Sequence, residues 1–149
     1  MLPPGLAFSV ANNLGLLFWA ALAVSLFVEN SRRPVWLTTG FIVPAAWGAL
    51  YIVLIWQGLR VAEGGFDSIE GVRSLFANDS ALAAGWLHYL AFDLFVGTWI
   101  ARDSVAARIH GLLVLPCLAL TLFFGPAGFL LYLVIRLAFR REAAPETSK

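Results

Sequence analysis

The chain has 149 residues, of which 60% are apolar, 14% aromatic and 13% charged, with a mean hydropathy of +0.82. A soluble domain of this size needs a polar shell, because surface grows relative to volume as size falls, and ten Lys+Arg with nine Asp+Glu cannot supply one. That excludes a soluble enzyme and a disordered chain, and the net charge of +1 leaves no basic face for a nucleic-acid partner.

What remains is an all-α integral membrane protein of one domain, read as residues 1–141 with a polar tail at 142–149. Crossing a hydrocarbon core of about 30 Å takes about 20 helical residues. Four stretches qualify, roughly 8–28, 35–59, 81–100 and 112–137. The first carries Asn12 and Asn13 near its start, one expected to cap the helix and one to bond across the bundle, as Gln57 would at the end of the second. It closes at Glu29-Asn30-Ser31-Arg32-Arg33-Pro34. The second is interrupted by Pro44, and Trp36, Trp47 and Trp56 read as interfacial or packing tryptophans.

Between the second and third stretches lies a polar connection, where Ile69, Val72, Leu75 and Phe76 recur at helical spacing. It reads either as a short amphipathic helix on the membrane surface or over the bundle, or as a plain loop. Asn78-Asp79-Ser80 is expected to cap the third helix, through the Asp and Ser side chains. With four spans, both ends and this connection share one side. Six cationic residues (Arg60, Arg73, Arg136, Arg140, Arg141, Lys149) then oppose four (Arg32, Arg33, Arg102, Arg108), which favours both termini in the cytoplasm.

The third stretch holds His88 and Asp93 well inside apolar sequence. A carboxylate near the bilayer centre costs at least about 2.5–3.5 kcal/mol, so such residues face a bundle interior and serve either chemistry or an interhelical bond. At 100° per residue the two lie about 140° apart around the helix and cannot easily bond one another. Trp86, Tyr89, Asp93 and Gly97 form one stripe, and His88, Phe92, Phe95 and Trp99 another, so the helix meets neighbours on two sides. Asp103 stands at the interface, where Arg102, Arg108 or a headgroup could pair with it. His110 reads as an interfacial anchor opening the fourth stretch.

That last stretch contains Pro116 and Gly125-Pro126-Ala127-Gly128. Proline lacks an N–H and clashes with the carbonyl four residues back, so the helix is expected to kink or break there. Gly125 and Gly128 would let a backbone or a flat ligand approach. Tyr132 and Arg136 follow on about the same face, with Arg136 free to snorkel to the surface. The lone Cys117 cannot form an internal disulfide, and two histidines without a Cys/His cluster make no classical zinc site. With no Lys or Arg before Arg32, no signal peptide is expected.

The segment 76–95 resembles the W-x-H-x-x-x-x-D-L-F signature of the neoxanthin synthase-like family, also called the abscisic-acid-deficient-four-like family, here Trp86-x-His88 followed by Asp93-Leu94-Phe95. Asp103 resembles the aspartate that closes that signature, and Leu122-Phe123-Phe124-Gly125-Pro126-Ala127-Gly128 its second motif. The likeness is sharp over 76–136 and weaker before it. Thr98 and Tyr132 depart from plant members, which tend to carry a basic residue and a histidine there.

The resemblance implies a small four-helix membrane protein. Plant members act in plastid membranes on the conversion of violaxanthin to neoxanthin, an isomerisation in which an epoxide opens and an allene forms. It needs an acid at the epoxide oxygen and a base at the adjacent polyene carbon, and no metal or redox cofactor. By that analogy Asp93 and His88 would be acid and base. Trp86, Tyr89, Trp99, Gly125, Pro126 and Gly128 would shape the carotenoid groove, and Asp103, Tyr132 and Arg136 would be structural or interfacial. The implied partners are membrane lipid and a carotenoid or other isoprenoid, with a homo-oligomer open. The N-terminus suggests a bacterial inner membrane. A non-catalytic pigment or lipid binder is the alternative. A proton or solute conduit ranks last, because the other stretches offer little polar lining.

Overall fold

A computed structural model describes residues 2–142; of residues 140–142 it describes the backbone course only. Among the described residues the protein is all-helical. Three helices are long and apolar enough to cross a membrane: α1 (Pro4–Ser25), the continuous Glu29–Leu59, and α5 (Asp79–Ala106). Their outward faces carry Leu17, Phe41, Ile52 and Trp56, each more than 60% exposed. That surface suits lipid and not water.

The first helix starts at Pro4, so Asn12 and Asn13 lie inside it and cap nothing. The charged turn expected to end the first stretch instead begins the second. It forms α2 (Glu29–Leu37), followed by a π-helical segment (Thr38–Ile42) and α3 (Val43–Leu59). The cause of the π segment is Pro44. Having no N–H, it cannot serve the Gly40 carbonyl, and the ladder slips so that Val43 N–H reaches Thr38 O. The Gln57 amide lies against the Leu2 backbone and, turned end for end, would pair with its N–H and carbonyl at 3.1 and 3.2 Å.

The connection after α3 folds as a short helix, α4 (Ile69–Phe76), which buries Leu75 and lays Phe76 on Gly85. Its N-cap is Ser68, whose hydroxyl accepts from Gly71 N–H at 3.0 Å. The cap of α5 is Asn78, which accepts from Ser80 and Ala81 N–H; Asp79 and Ser80 already belong to the helix.

The 28-residue α5 is the central post, about 42 Å long. Alanines 81, 83, 84, 91 and 101 are buried along it, and small residues let neighbouring helices approach closely. α1 runs parallel to it, with Phe8 beside Trp86 and Trp19 covering Gly97. α3 runs antiparallel, with Gly40 at Thr98, Tyr51 at His88 and Gly58 at Ala81.

The fourth stretch differs from its expectation. A single kinked span is replaced by two shorter helices, α6 (Gly111–Phe124) and α7 (Pro126–Glu142), folded back on each other at Gly125. A Cβ on Gly128 would collide with the Thr121 amide and the Cys117 carbonyl, which places α7 directly against α6. Gly125 adopts φ +31, ψ −86, a conformation that L side chains rarely reach. Proline begins a new helix well, since its missing N–H is unneeded there and its φ is already set. Glycine and proline together therefore produce a reversal where a kink was expected.

The hairpin also revises the topology. α7 runs back along α5 from Asp93, through Trp99, to Asp103. Its C-terminal end therefore lies at the opposite end of α5 from Pro4, so the two ends of the described chain do not share a side. The tail expected over 142–149 gives up Glu142 to α7, and residues 143–149 lie outside the described part.

Candidate functional site

The hairpin tip meets α5 at mid-length. A helix end leaves its last carbonyls without intrahelical partners. In α6, Thr121 O still receives Gly125 N–H, but Leu122 O would need a donor at position 126, which is proline. The Tyr89 hydroxyl supplies it, donating to Leu122 O at 2.5 Å. One turn further along α5, the Asp93 carboxyl is set against Gly125, where an added Cβ would lie 2.7 Å from Oδ1. Oδ2 of Asp93 is buried and has no hydrogen-bond partner. The acid thus lies at the reversal between α6 and α7, beside the start of α7.

Trp86 stands two turns before Asp93 on the same stripe, 5.2 Å from Tyr89 and 5.4 Å from Phe8 between ring centroids. It remains 37% exposed and, with Phe8 and Leu82, walls a cavity of about 510 Å³ between the starts of α1 and α5. Asp93 lies two turns further along α5 and is not among the residues that line this cavity.

The far end of the hairpin is fastened. Asp103 Oδ2 accepts a hydrogen bond from the Tyr132 hydroxyl and another from Arg136 Nε at 2.7 Å. Tyr132 is fully buried and stands edge-on to Trp99, 5.8 Å away. Arg136 is therefore held by Asp103, where a snorkelling anchor was expected. His110 caps α6, its Nδ1 accepting from Leu112 N–H at 3.3 Å.

His88 is not part of this arrangement. It projects from the opposite side of α5, exposed, stacked on Phe92 at 4.6 Å and near Tyr51 at 5.8 Å. It lines a separate apolar groove of about 440 Å³ between α3 and α5. The acid and base suggested by resemblance are thus not brought together. Of the six residues assigned to the groove, Trp86 and Tyr89 lie near Asp93 and Gly125 touches it. Gly128 is covered by α6, Trp99 packs on Phe129 and Tyr132, and Pro126 is exposed at the tip. The Leu122 carbonyl was not foreseen; proline four residues later is the signal that exposes it. Among the described residues no cluster of His, Cys, Asp and Glu could hold a metal ion.

A family model described as ABA DEFICIENT 4-like matches residues 6–132. The curated protein "Protein ABA DEFICIENT 4, chloroplastic" of Arabidopsis thaliana is 21% identical over 137 residues, covering 87% of this chain. The chain spans 60% of that relative's length. No solved structure matches.

Proposed function

Because the chain belongs to the ABA DEFICIENT 4-like family, we propose that it is a membrane-embedded carotenoid isomerase whose working group is Asp93. The observation that carries this reading is the Asp93 carboxyl, with one buried oxygen lacking a partner, set at the hairpin break below the Phe8–Trp86 aromatic pair. The substrate is an epoxidised xanthophyll, of which violaxanthin is the type. Its end ring enters past Trp86, and its polyene lies along the lipid-facing side of α5.

One carboxyl suffices for the proton balance. Protonated Asp93 gives its proton to the epoxide oxygen as the C–O bond breaks, leaving a cation delocalised over the polyene. The carboxylate then removes the proton from the adjacent polyene carbon. The allene forms, the oxygen stays on the other ring carbon as a hydroxyl, and the acid is restored. No electron is gained or lost. His88 has no part in this step, and Tyr89 holds the hairpin tip in place.

The test is a pigment analysis in cells that accumulate violaxanthin. Expression should give a new isomer of unchanged mass, lost in Asp93→Asn. Unchanged pigments with a carotenoid co-purifying would overturn the chemistry in favour of the binding protein.

We propose that the Asp103 end of α5 faces the cytoplasm. With the hairpin folded back, Arg32, Arg33, Arg102, Arg108 and Arg136 lie at that end, against Arg60 and Arg73 at the other. The cationic excess supports this orientation. A cysteine at Glu63 should react with an impermeant maleimide from outside the cell, and one at Arg108 only after lysis.

A further inference from the structure

The second and fifth helices leave a seam on the side of α5 away from Asp93. At its end nearest Arg102 is a cavity of about 770 Å³ into which Arg32, Arg33 and Arg102 open against a single Glu29. Arg32 is fixed there. Its Nε and one Nη donate to the Ser25 and Leu26 carbonyls at 3.2 Å, the free end of α1, and its other Nη remains available. Trp36 forms part of the wall and is itself held, its indole N–H donating to Ser25 Oγ at 3.0 Å.

Phe95 borders both this cavity and the apolar groove that runs past Pro44 and Gly48 to Tyr51 and His88. The two therefore abut at the Phe95 ring, one cationic toward the Arg102 end of α5 and the other apolar toward its middle. Guanidinium pairs geometrically with phosphate oxygens, and a net positive pocket beside an acyl-sized groove has the polarity of an anionic amphiphile. A neutral carotenoid would leave the three arginines unused. A soluble phosphate would leave the groove unused.

We propose that this seam is a binding site for one anionic phospholipid, its phosphate on Arg32, Arg33 and Arg102 and one acyl chain in the groove over Phe95 toward His88. The site is separate from the Asp93 face and does not rest on the isomerase reading. The groove also gives His88 a setting, beside the far end of the acyl chain.

Native mass spectrometry of the full chain in detergent tests it, with phosphatidylglycerol and phosphatidylcholine of equal chain length as probes. Wild type should retain one phosphatidylglycerol at a concentration at least about tenfold below that for phosphatidylcholine, since both bring a phosphate but only phosphatidylcholine brings a choline cation against the three arginines. Arg33→Gln with Arg102→Gln, both exposed positions, should abolish the preference. Gly48→Leu, whose Cβ meets no atom within 4 Å, should fill the groove and weaken phosphatidylglycerol retention without disturbing the fold. Equal retention of the two lipids by wild type would overturn the proposal. So would full retention in the arginine variant, or displacement of the lipid by millimolar inorganic phosphate with Gly48→Leu behaving as wild type.

Discussion

Midway along α5 its two sides carry Asp93 and His88, five residues apart, in opposite surroundings. Asp93 meets a neighbour whose backbone is interrupted, with a left-handed glycine, a proline and the start of a new helix against it. His88 meets an unbroken stretch of α3 and touches aromatic rings. In lipid, irregular backbone is tolerated only where it is buried in protein or lines a cavity. An acid placed at such a break has dipoles nearby that do not belong to a closed ladder; a histidine on a regular seam has only rings and lipid.

The sharpest test of that difference is a paired substitution. Asp93→Asn should lower isomer formation by about 10²–10⁴-fold, the ordinary worth of a positioned acid or base. His88→Gln should leave turnover close to wild type while altering the lipid carried through purification. Equal losses in chromatographic assays of the two variants would end the distinction between the faces.

The next largest effects concern how the hairpin is held. Tyr132→Phe removes a fully buried hydroxyl from a carboxylate that also receives Arg136, and should cost about 1.5–3 kcal/mol in unfolding measurements. Gly125→Ala forces a Cβ onto the Asp93 carboxyl at an unfavourable φ, and should cost about 1–3 kcal/mol. The two should separate in activity. Tyr132→Phe acts about 10 residues along α5 from the acid and should leave most turnover, whereas Gly125→Ala should lose stability and turnover together.

Much of this was legible before any coordinates. The three long helices follow from apolar runs, although the second starts earlier than expected, in the charged turn at Glu29, and the angular separation of His88 from Asp93 follows from 100° per residue. The break at Gly125-Pro126 was also legible, but not its direction, because the same two residues permit a kink or a reversal. What decides it is non-local: Gly128 seating on Thr121 and Cys117, and Asp103 gripping Tyr132 and Arg136 some 30 positions later. The orientation depended on that reversal, so the count of charges was sound and their allotment to sides was not. The arginine cavity joins Arg32 to Arg102 across two helices, a proximity that no periodicity within one helix encodes.

Tyr89 gives the smallest effect and the finest discrimination. It lies one turn from Asp93 on the same stripe, which invites a role as a proton relay. Its hydroxyl, however, donates to Leu122 O, the carbonyl that Pro126 leaves without a donor, while its oxygen stands within reach of the Asp93 carboxyl. Tyr89→Phe should therefore cost about 0.5–1.5 kcal/mol, the net value of one neutral hydrogen bond. Turnover should fall only as far as the loosened tip displaces Gly125 from Asp93. A relay would show the reverse, with stability unchanged and product formation falling as far as in Asp93→Asn. Thermal unfolding and pigment analysis on the same preparation separate the two, because the hydroxyl has one proton and the two roles require it in different places.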